Sequence, residues 1–480
     1  MKFILGLILS SIILLTAGQI ADQKNFWNDE AFEICELSQR SWGEILSGHV
    51  LQASKNPLYL GLQKLVVSFP ADYDSSLLIY YRLISLVCAS LLALTLFLFF
   101  QKRFGLAWAI FGLLALTGQK LFYLYAAENR PYLLWIYLFT VLIILTVKLA
   151  EKKWSEASRV LKISFAVTCA LISLTLAFGV IQSCFAVGTI LFFWYFVQER
   201  PKNFHPFLQF ALPIVFMCAA IEGFYASHGV DAHSHNVFHT EFDLVWQLQQ
   251  KNYGLLKMPW RILLPKIGRD AFIGSYLSNI LIILSSAATF YLWRRRSTLN
   301  QNEKFILILN IAVLAQVAAT LPIAFIVGFL RYWFVQRIFL YLIICHVLLA
   351  VTGAYFIFSR LQKYRIIIPI SLTIFLGLCV LSVTWYRDIR DSYTIPVAEC
   401  AKLPGRLPEI LQEEAMLTYE GPLVLAMDVS KHLDRCGWNG TSQKAYIWHD
   451  ARGWEIDDSL PLGQAPLQFC KKPVVIKIKD

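Results

Sequence analysis

The sequence predicts an all-α polytopic membrane protein of about eleven transmembrane helices, closed by a small C-terminal extracytoplasmic domain of α/β or β type. Three observations predict it. Of 480 residues, 57% are hydrophobic and only 16% charged, with a mean hydropathy of +0.55. Apolar runs recur at the length that crosses about 30 Å of hydrocarbon. Basic residues gather in alternate short loops, the pattern that marks the cytoplasmic side of a membrane protein.

Taken in order, the runs centre on Phe3–Ala17, Tyr80–Phe100, Gly105–Leu121, Pro131–Leu149, Leu161–Phe178, Val180–Val197, Phe207–Ile221, Phe272–Trp293, Phe305–Val327, Ile338–Phe358 and Ile366–Thr384. The first has a single Lys2, a short apolar core and small residues after it, as a secretory signal does. Ala17-Gly18-Gln19 is a weak cleavage site, so the span reads as retained. Basic residues then fall at Lys102-Arg103, at Lys152-Lys153 with Arg159, at Arg200 with Lys202, at Arg294-Arg295-Arg296, and at Arg360, Lys363 and Arg365. This places the N-terminus inside and exports the C-terminus, with residues 1–384 as the membrane domain and 385–480 as the exported tail. Residues 21–78, the turn at Glu128, residues 222–269 and the turn at Arg331 share the non-cytoplasmic face.

The long first loop carries Ile34, Leu37, Trp42, Ile45, Leu46 and Val50 near helical spacing, opposed by Glu33, Glu36, Gln39, Arg40 and Glu44. That pattern predicts an amphipathic helix over 31–50, lying on the membrane surface. Residues 222–269 read similarly, with Phe242, Val245, Trp246 and Leu248 ahead of Lys257, Arg261 and Lys266. In the tail, Pro422–Met427, Ala445–Trp448 and Val474–Ile478 read as short strands between turn residues.

The formal charge of +11 is largely this loop Lys and Arg, and no basic stripe interleaved with aromatics falls in a soluble segment, which sets nucleic acid aside. Cys88, Cys169, Cys184, Cys218, Cys345 and Cys379 fall in apolar runs, where a thiol packs as a small hydrophobe. Cys35, Cys400, Cys436 and Cys470 fall on the oxidising side without metal-ligand spacing. His228, His233, His235 and His239 with Asp231 alternate in a polar loop that lacks a recognisable zinc spacing. Asn439-Gly440-Thr441 matches a glycosylation sequon by pattern alone.

The polar residues that stand out are Asp29-Glu30, just past the first span. Ionised groups at a membrane boundary are costly and point to a wet cavity with a task, although the same pair also suits an ordinary helix cap. Asn56-Pro57-Leu58-Tyr59 follows in the same loop, Tyr81-Arg82-Leu83-Ile84-Ser85 opens the second span, Ala127-Glu128-Asn129-Arg130-Pro131-Tyr132 precedes the fourth, and Arg331-Tyr332 lies between the ninth and tenth.

In that joint order the chain resembles the GT-C glycosyltransferases, in the branch of protein O-mannosyltransferases and the bacterial aminoarabinose transferase for lipid A. The resemblance covers about the first 380 residues and leaves the tail without a counterpart. It implies a GT-C-like membrane fold and transfer of a sugar from a polyprenyl-phosphate donor to a lipid, glycan or protein acceptor, on the periplasmic side of a bacterial inner membrane. It also implies Asp29 as general base and Glu30 as a neighbour that shapes its charge or helps hold a divalent metal ion. Arg331 is implied as the carrier-phosphate ligand beside Tyr332, with Arg82 and Lys55 as alternatives and Glu128, Arg130 and Tyr132 as substrate contacts. An Arg fork suits two phosphate oxygens, and transfer needs both a base and a positive partner for the departing phosphate. Where protein O-mannosyltransferases carry His-Pro-Pro, this chain has Lys55-Asn56-Pro57, which speaks against protein mannosylation. A transporter of lipid-linked sugars would show internal repeats and midplane charge, and a membrane-anchored scaffold leaves the acidic pair without a task.

Overall fold

The computed structural model describes most of residues 2–23, 40–48, 57–68, 78–196, 205–227, 273–329 and 338–361, two strands at 445–449 and 453–457, and single positions such as Glu30, Glu33, Leu37 and Leu263. Asp29, Lys55, Arg331, Tyr332, the histidine-bearing stretch and most of the tail lie outside the described residues.

Apolar sequence with its backbone donors and acceptors paired internally is what hydrocarbon demands, and the described residues answer with helices. These are α1 Lys2–Gln23, α2 Trp42–Leu46, α3 Pro57–Val67, α4 Leu78–Tyr81, α5 Leu83–Phe104, α6 Leu106–Thr117, α7 Lys120–Ala126, α8 Tyr132–Ala150, α9 Arg159–Ser173, α10 Gly179–Phe193, α11 His205–Ser227, α12 Ile273–Arg294, α13 Gln301–Phe329 and α14 Leu342–Leu361. A π turn, Trp194–Gln198, continues α10. Among the described residues 7 helices are long and apolar enough to cross a membrane: α1, α5, α8, α10 with its π turn, α11, α13 and α14. The chain is a multi-pass helical membrane protein.

The expected span Gly105–Leu121 is interrupted. α6 stops at Thr117, the chain turns through Gly118 and an extended Gln119, and α7 starts at Lys120. Twelve helical residues rise only about 18 Å. The expected span Leu161–Phe178 is likewise a 15-residue α9 followed by a turn into Gly179. Ile366–Thr384 lies outside the described residues except at isolated helical positions. In the tail, β1 Ala445–His449 pairs antiparallel with β2 Gly453–Asp457, so one of the three expected strands falls on described residues. Cys88, Cys169, Cys218 and Cys345 are free and buried, as packing residues are.

α8 sits inside the bundle, against α5, α9, α10 and α13, while α14 packs on α12, α6 and α13. This placement explains why α8 is apolar all round and largely buried, whereas α1 turns Phe3, Ile4, Leu7, Ile8, Ile12 and Leu15 outward. Gly105, at φ +98°, makes the turn between α5 and α6 in a backbone region that favours glycine. Buried polar groups join α12, α13 and α14: Asn310 Nδ2 donates to Thr289 Oγ1 at 2.9 Å, and Thr352 Oγ1 donates to Asn310 Oδ1 at 2.7 Å.

At the α12–α14 contact the two backbones nearly touch. A Cβ built on Gly353 would lie 2.2 Å from the Leu281 carbonyl oxygen, and a backbone atom cannot swing aside as a side chain can. Gly353→Ala is therefore expected to lower stability by about 1–3 kcal/mol through overpacking. Thermal unfolding in detergent checks it, and an unchanged midpoint would mean that the helices separate freely here.

The bundle has two chemically distinct ends. Arg103 pairs with Glu151 where α5 and α8 finish, and its guanidinium carbon lies 4.2 Å from the Phe305 ring centre at the start of α13. Arg360, at the end of α14, reaches Glu303 on the same side at 2.8 Å. The opposite end gathers the end of α1 and the starts of α5 and α8.

Candidate active site

Where α1 ends and α5 and α8 begin, two arginines and two glutamates are buried almost completely: Glu30 at 0%, Glu33 at 1%, Arg82 at 0% and Arg130 at 3% exposure. Ionised side chains survive such burial only when paired. Arg82 stands immediately before α5, and its Nε and Nη2 fork onto Glu30 Oε1 and Oε2 at 3.0 and 2.8 Å. Its third nitrogen, Nη1, donates to the Ala21 carbonyl at 2.6 Å. That carbonyl is one of the last four of α1, which have no partner within their own helix and sit at the negative end of its dipole. A single side chain thus joins the first loop, α1 and α5.

Glu30 also reaches forward in sequence space. Its Oε1 accepts a hydrogen bond from the Asn129 backbone N–H, in the turn before α8. The Asn129 side chain is held in turn by Tyr59 on α3, whose hydroxyl donates to Asn129 Oδ1 at 2.5 Å. Burial, reinforced by the Glu33 carboxylate, pushes the Tyr59 phenol well above its usual range, so Tyr59 stays a donor. Arg130 Nη1 meets Glu33 Oε2 at 3.2 Å, the Arg130 carbonyl accepts from Ser85 Oγ at 3.2 Å, and its guanidinium lies 5.9 Å from the Tyr132 ring centre. Pro131, locked at φ −66° and lacking an N–H, opens α8 beneath this turn.

Of the residues singled out in the sequence, Glu30, Arg82, Glu128, Arg130 and Tyr132 are therefore brought to one end of the bundle, and Glu128 is 2% exposed. Asp29 is covalently next to Glu30, while Lys55, Arg331 and Tyr332 lie outside the described residues. Tyr59 and Glu33 are the members that sequence reasoning placed elsewhere. Tyr59 enters the sequence reading only as part of Asn56-Pro57-Leu58-Tyr59 and Glu33 as part of a polar helix face, yet both bond into the buried network.

The expected helix over 31–50 does not run through. Residues 30, 33 and 37 are helical and buried, and Lys64 Nζ ties down the Leu37 carbonyl at 2.6 Å. A new helix then starts at Trp42, because Ser41 is extended at ψ 159° and forms a capping box with Glu44. The Ser41 backbone N–H and hydroxyl hold the exposed Glu44 carboxylate down to about 2. Ser41-x-x-Glu44 was the readable signal for that break. Trp42 and Leu46, on the apolar face of the expected helix, are 42% and 53% exposed.

Below this cluster, Trp135 Nε1 donates to Gln182 Oε1 at 2.9 Å, and Gln316 Nε2 donates to the Gln182 carbonyl at 2.9 Å. His346, buried in α14, places Nδ1 2.7 Å from the Leu263 carbonyl and so ties Leu263 to the bundle. Among the described residues no three His, Cys, Asp or Glu side chains are arranged to hold a metal ion.

No family model matches the chain, and no curated protein matches it. Among solved structures it is similar to an oligosaccharyltransferase from Archaeoglobus fulgidus, in complex with Zn and sulfate, at a TM-score of 0.45 and 13% identity over 87% of this chain and 57% of that one. The chain thus spans little more than half the length of that protein. It is also similar to ArnT from Cupriavidus metallidurans in the apo state, at a TM-score of 0.33 and 13% identity over 72% of this chain and 76% of that one.

Proposed function

We propose that this chain is an integral membrane glycosyltransferase that moves a sugar from a polyprenyl-phosphate donor to an acceptor at the membrane face bearing Glu30 and Arg82. One observation carries the reading: residues that are far apart in sequence, Glu30, Arg82 and Glu128–Tyr132, converge on one end of the bundle, with Glu30 bonded to both other segments.

The chemistry divides between groups that are bonded away and groups that act. Glu30 has both oxygens engaged and Arg82 has no exposed surface, so these two brace the site. Asp29, one residue before the brace, is the base that accepts the proton of the acceptor hydroxyl as that oxygen attacks the sugar carbon. The carrier phosphate leaves with the bonding pair and needs a cation from outside the braced pairs. Arg331 fills that role, with Lys55 as the second choice. The exported face and the bacterial inner membrane belong to the same proposal, through the alternation of basic loops.

The test is donor binding and transfer in nanodiscs with a defined polyprenyl-phosphate sugar. Wild-type protein should release polyprenyl phosphate and form a new glycosidic product. Donor redistributed between leaflets with no bond broken would replace the reading with transport. Arg331→Ala should raise the apparent Kd for donor by about 10–150-fold, the worth of a charge-assisted hydrogen bond, with Arg331→Lys in between. Normal donor affinity in the alanine variant would move the phosphate site away from Arg331.

A further inference from the structure

The end of the bundle opposite the candidate active site carries its own unassigned charge. Arg294, Arg295 and Arg296 follow one another at the end of α12, and all three are exposed. Arg360 comes to the same corner from α14. Arg295 Nη1 donates to the Tyr291 hydroxyl oxygen at 2.7 Å, and Arg360 Nη1 lies 3.3 Å from the same oxygen. Among the described residues Glu303, 2.8 Å from Arg360 Nη2, is the carboxylate paired with this group of four cations.

Two guanidinium groups converging on one neutral oxygen repel each other unless an anion joins them. The Tyr291 oxygen accepts from both arginines, which leaves its own O–H to donate. The corner therefore presents N–H and O–H donors with net positive charge, the complement of a phosphate monoanion. The approach to it is apolar. Ile283 at 61% and Phe290 at 60% exposure lie seven residues apart on one line of α12 leading to this corner, with Leu284 at 38% beside Ile283. The Arg294 guanidinium carbon lies 4.7 Å from the Phe290 ring centre, which places cation and hydrocarbon-facing ring together.

We propose that Tyr291, Arg295 and Arg360 bind the headgroup phosphate of an anionic phospholipid whose acyl chain lies along the exposed Ile283–Phe290 face of α12. The exposed apolar face selects a lipid over free phosphate, because inorganic phosphate gains nothing from it. The site is separate from sugar transfer and stands whether or not that activity is found.

Phosphatidylglycerol is the probe. Full-length protein in phosphatidylcholine nanodiscs, titrated with phosphatidylglycerol, should retain it in native mass spectrometry and unfold at higher temperature as it binds. Each of Arg295→Gln and Arg360→Gln should weaken that affinity about five-fold, following the attraction of a single interfacial cation for an anionic lipid. Glu303→Gln should strengthen it, because it removes the carboxylate that competes for Arg360, and a gain cannot arise from misfolding. Equal affinity for phosphatidylglycerol in wild type and in the Arg295→Gln/Arg360→Gln double variant would overturn the site, as would an unchanged affinity in Glu303→Gln. Stabilisation by inorganic phosphate equal to that by phosphatidylglycerol would also overturn it.

Discussion

Replacing Asp29 with Asn is expected to lower sugar transfer by about 10²–10⁴-fold, the usual range for removing a general base, while leaving donor binding and thermal stability near wild type. The two carboxylates in this stretch are adjacent, and the proposal gives them different roles. Glu30 is wholly buried and makes bonds to Arg82 and to the Asn129 backbone, which fixes the chain at its position. On the proposed reading Glu30 serves the fold and Asp29 the chemistry. Asn keeps the size and shape of Asp and loses the basicity. Turnover with a defined donor, alongside donor affinity and melting temperature in the same preparation, separates the two effects. Wild-type turnover in Asp29→Asn would remove it as the base, and a collapse in stability would show that Asp29 belongs to the brace with Glu30.

Much of this site is legible in sequence because its parts are local. Asp29-Glu30 and Glu128-Asn129-Arg130-Pro131 can be read as polar islands beside apolar runs, and length and hydropathy are enough to place the helices that carry them. What escaped is pairing over long separation. Arg82 reads in the sequence as an alternative phosphate ligand, and only its closure on Glu30, 52 residues away, gives it a partner. Glu33 sits on the polar side of a helical pattern that treats water as the alternative to the core, whereas here the alternative is Arg130, 97 residues on. Periodicity reports that a face is polar without reporting what it meets. The breaks between α6 and α7 and at Ser41 escaped for a simpler reason: hydropathy averages over a window, while a Gly-Gln turn or a capping box acts over one or two residues.

The Glu30–Arg82 pair itself yields the second large effect. Glu30→Gln is expected to destabilise the protein by about 3–5 kcal/mol, because it leaves the Arg82 charge buried with half of its partner gone. Arg82→Met should cost a similar amount, by stranding the Glu30 carboxylate and freeing the Ala21 carbonyl at the end of α1. The double variant is more informative than either single change. With both charges removed no ion remains to be desolvated, so Glu30→Gln/Arg82→Met should be more stable than the sum of the two single losses predicts. The measurement is a double-mutant cycle on equilibrium unfolding in mixed micelles, with sugar transfer assayed on each variant at a temperature where all are folded. If the pair is a brace, turnover falls in every variant, with the double recovering stability but not full turnover, because a Gln amide oxygen is a weaker acceptor than the Glu30 carboxylate for the Asn129 backbone N–H in the turn before α8. Single variants within about 0.5 kcal/mol of wild type would place this pair with solvent-screened surface ion pairs, and the buried network would then have to be held by Tyr59, Asn129 and the Arg130–Glu33 pair instead.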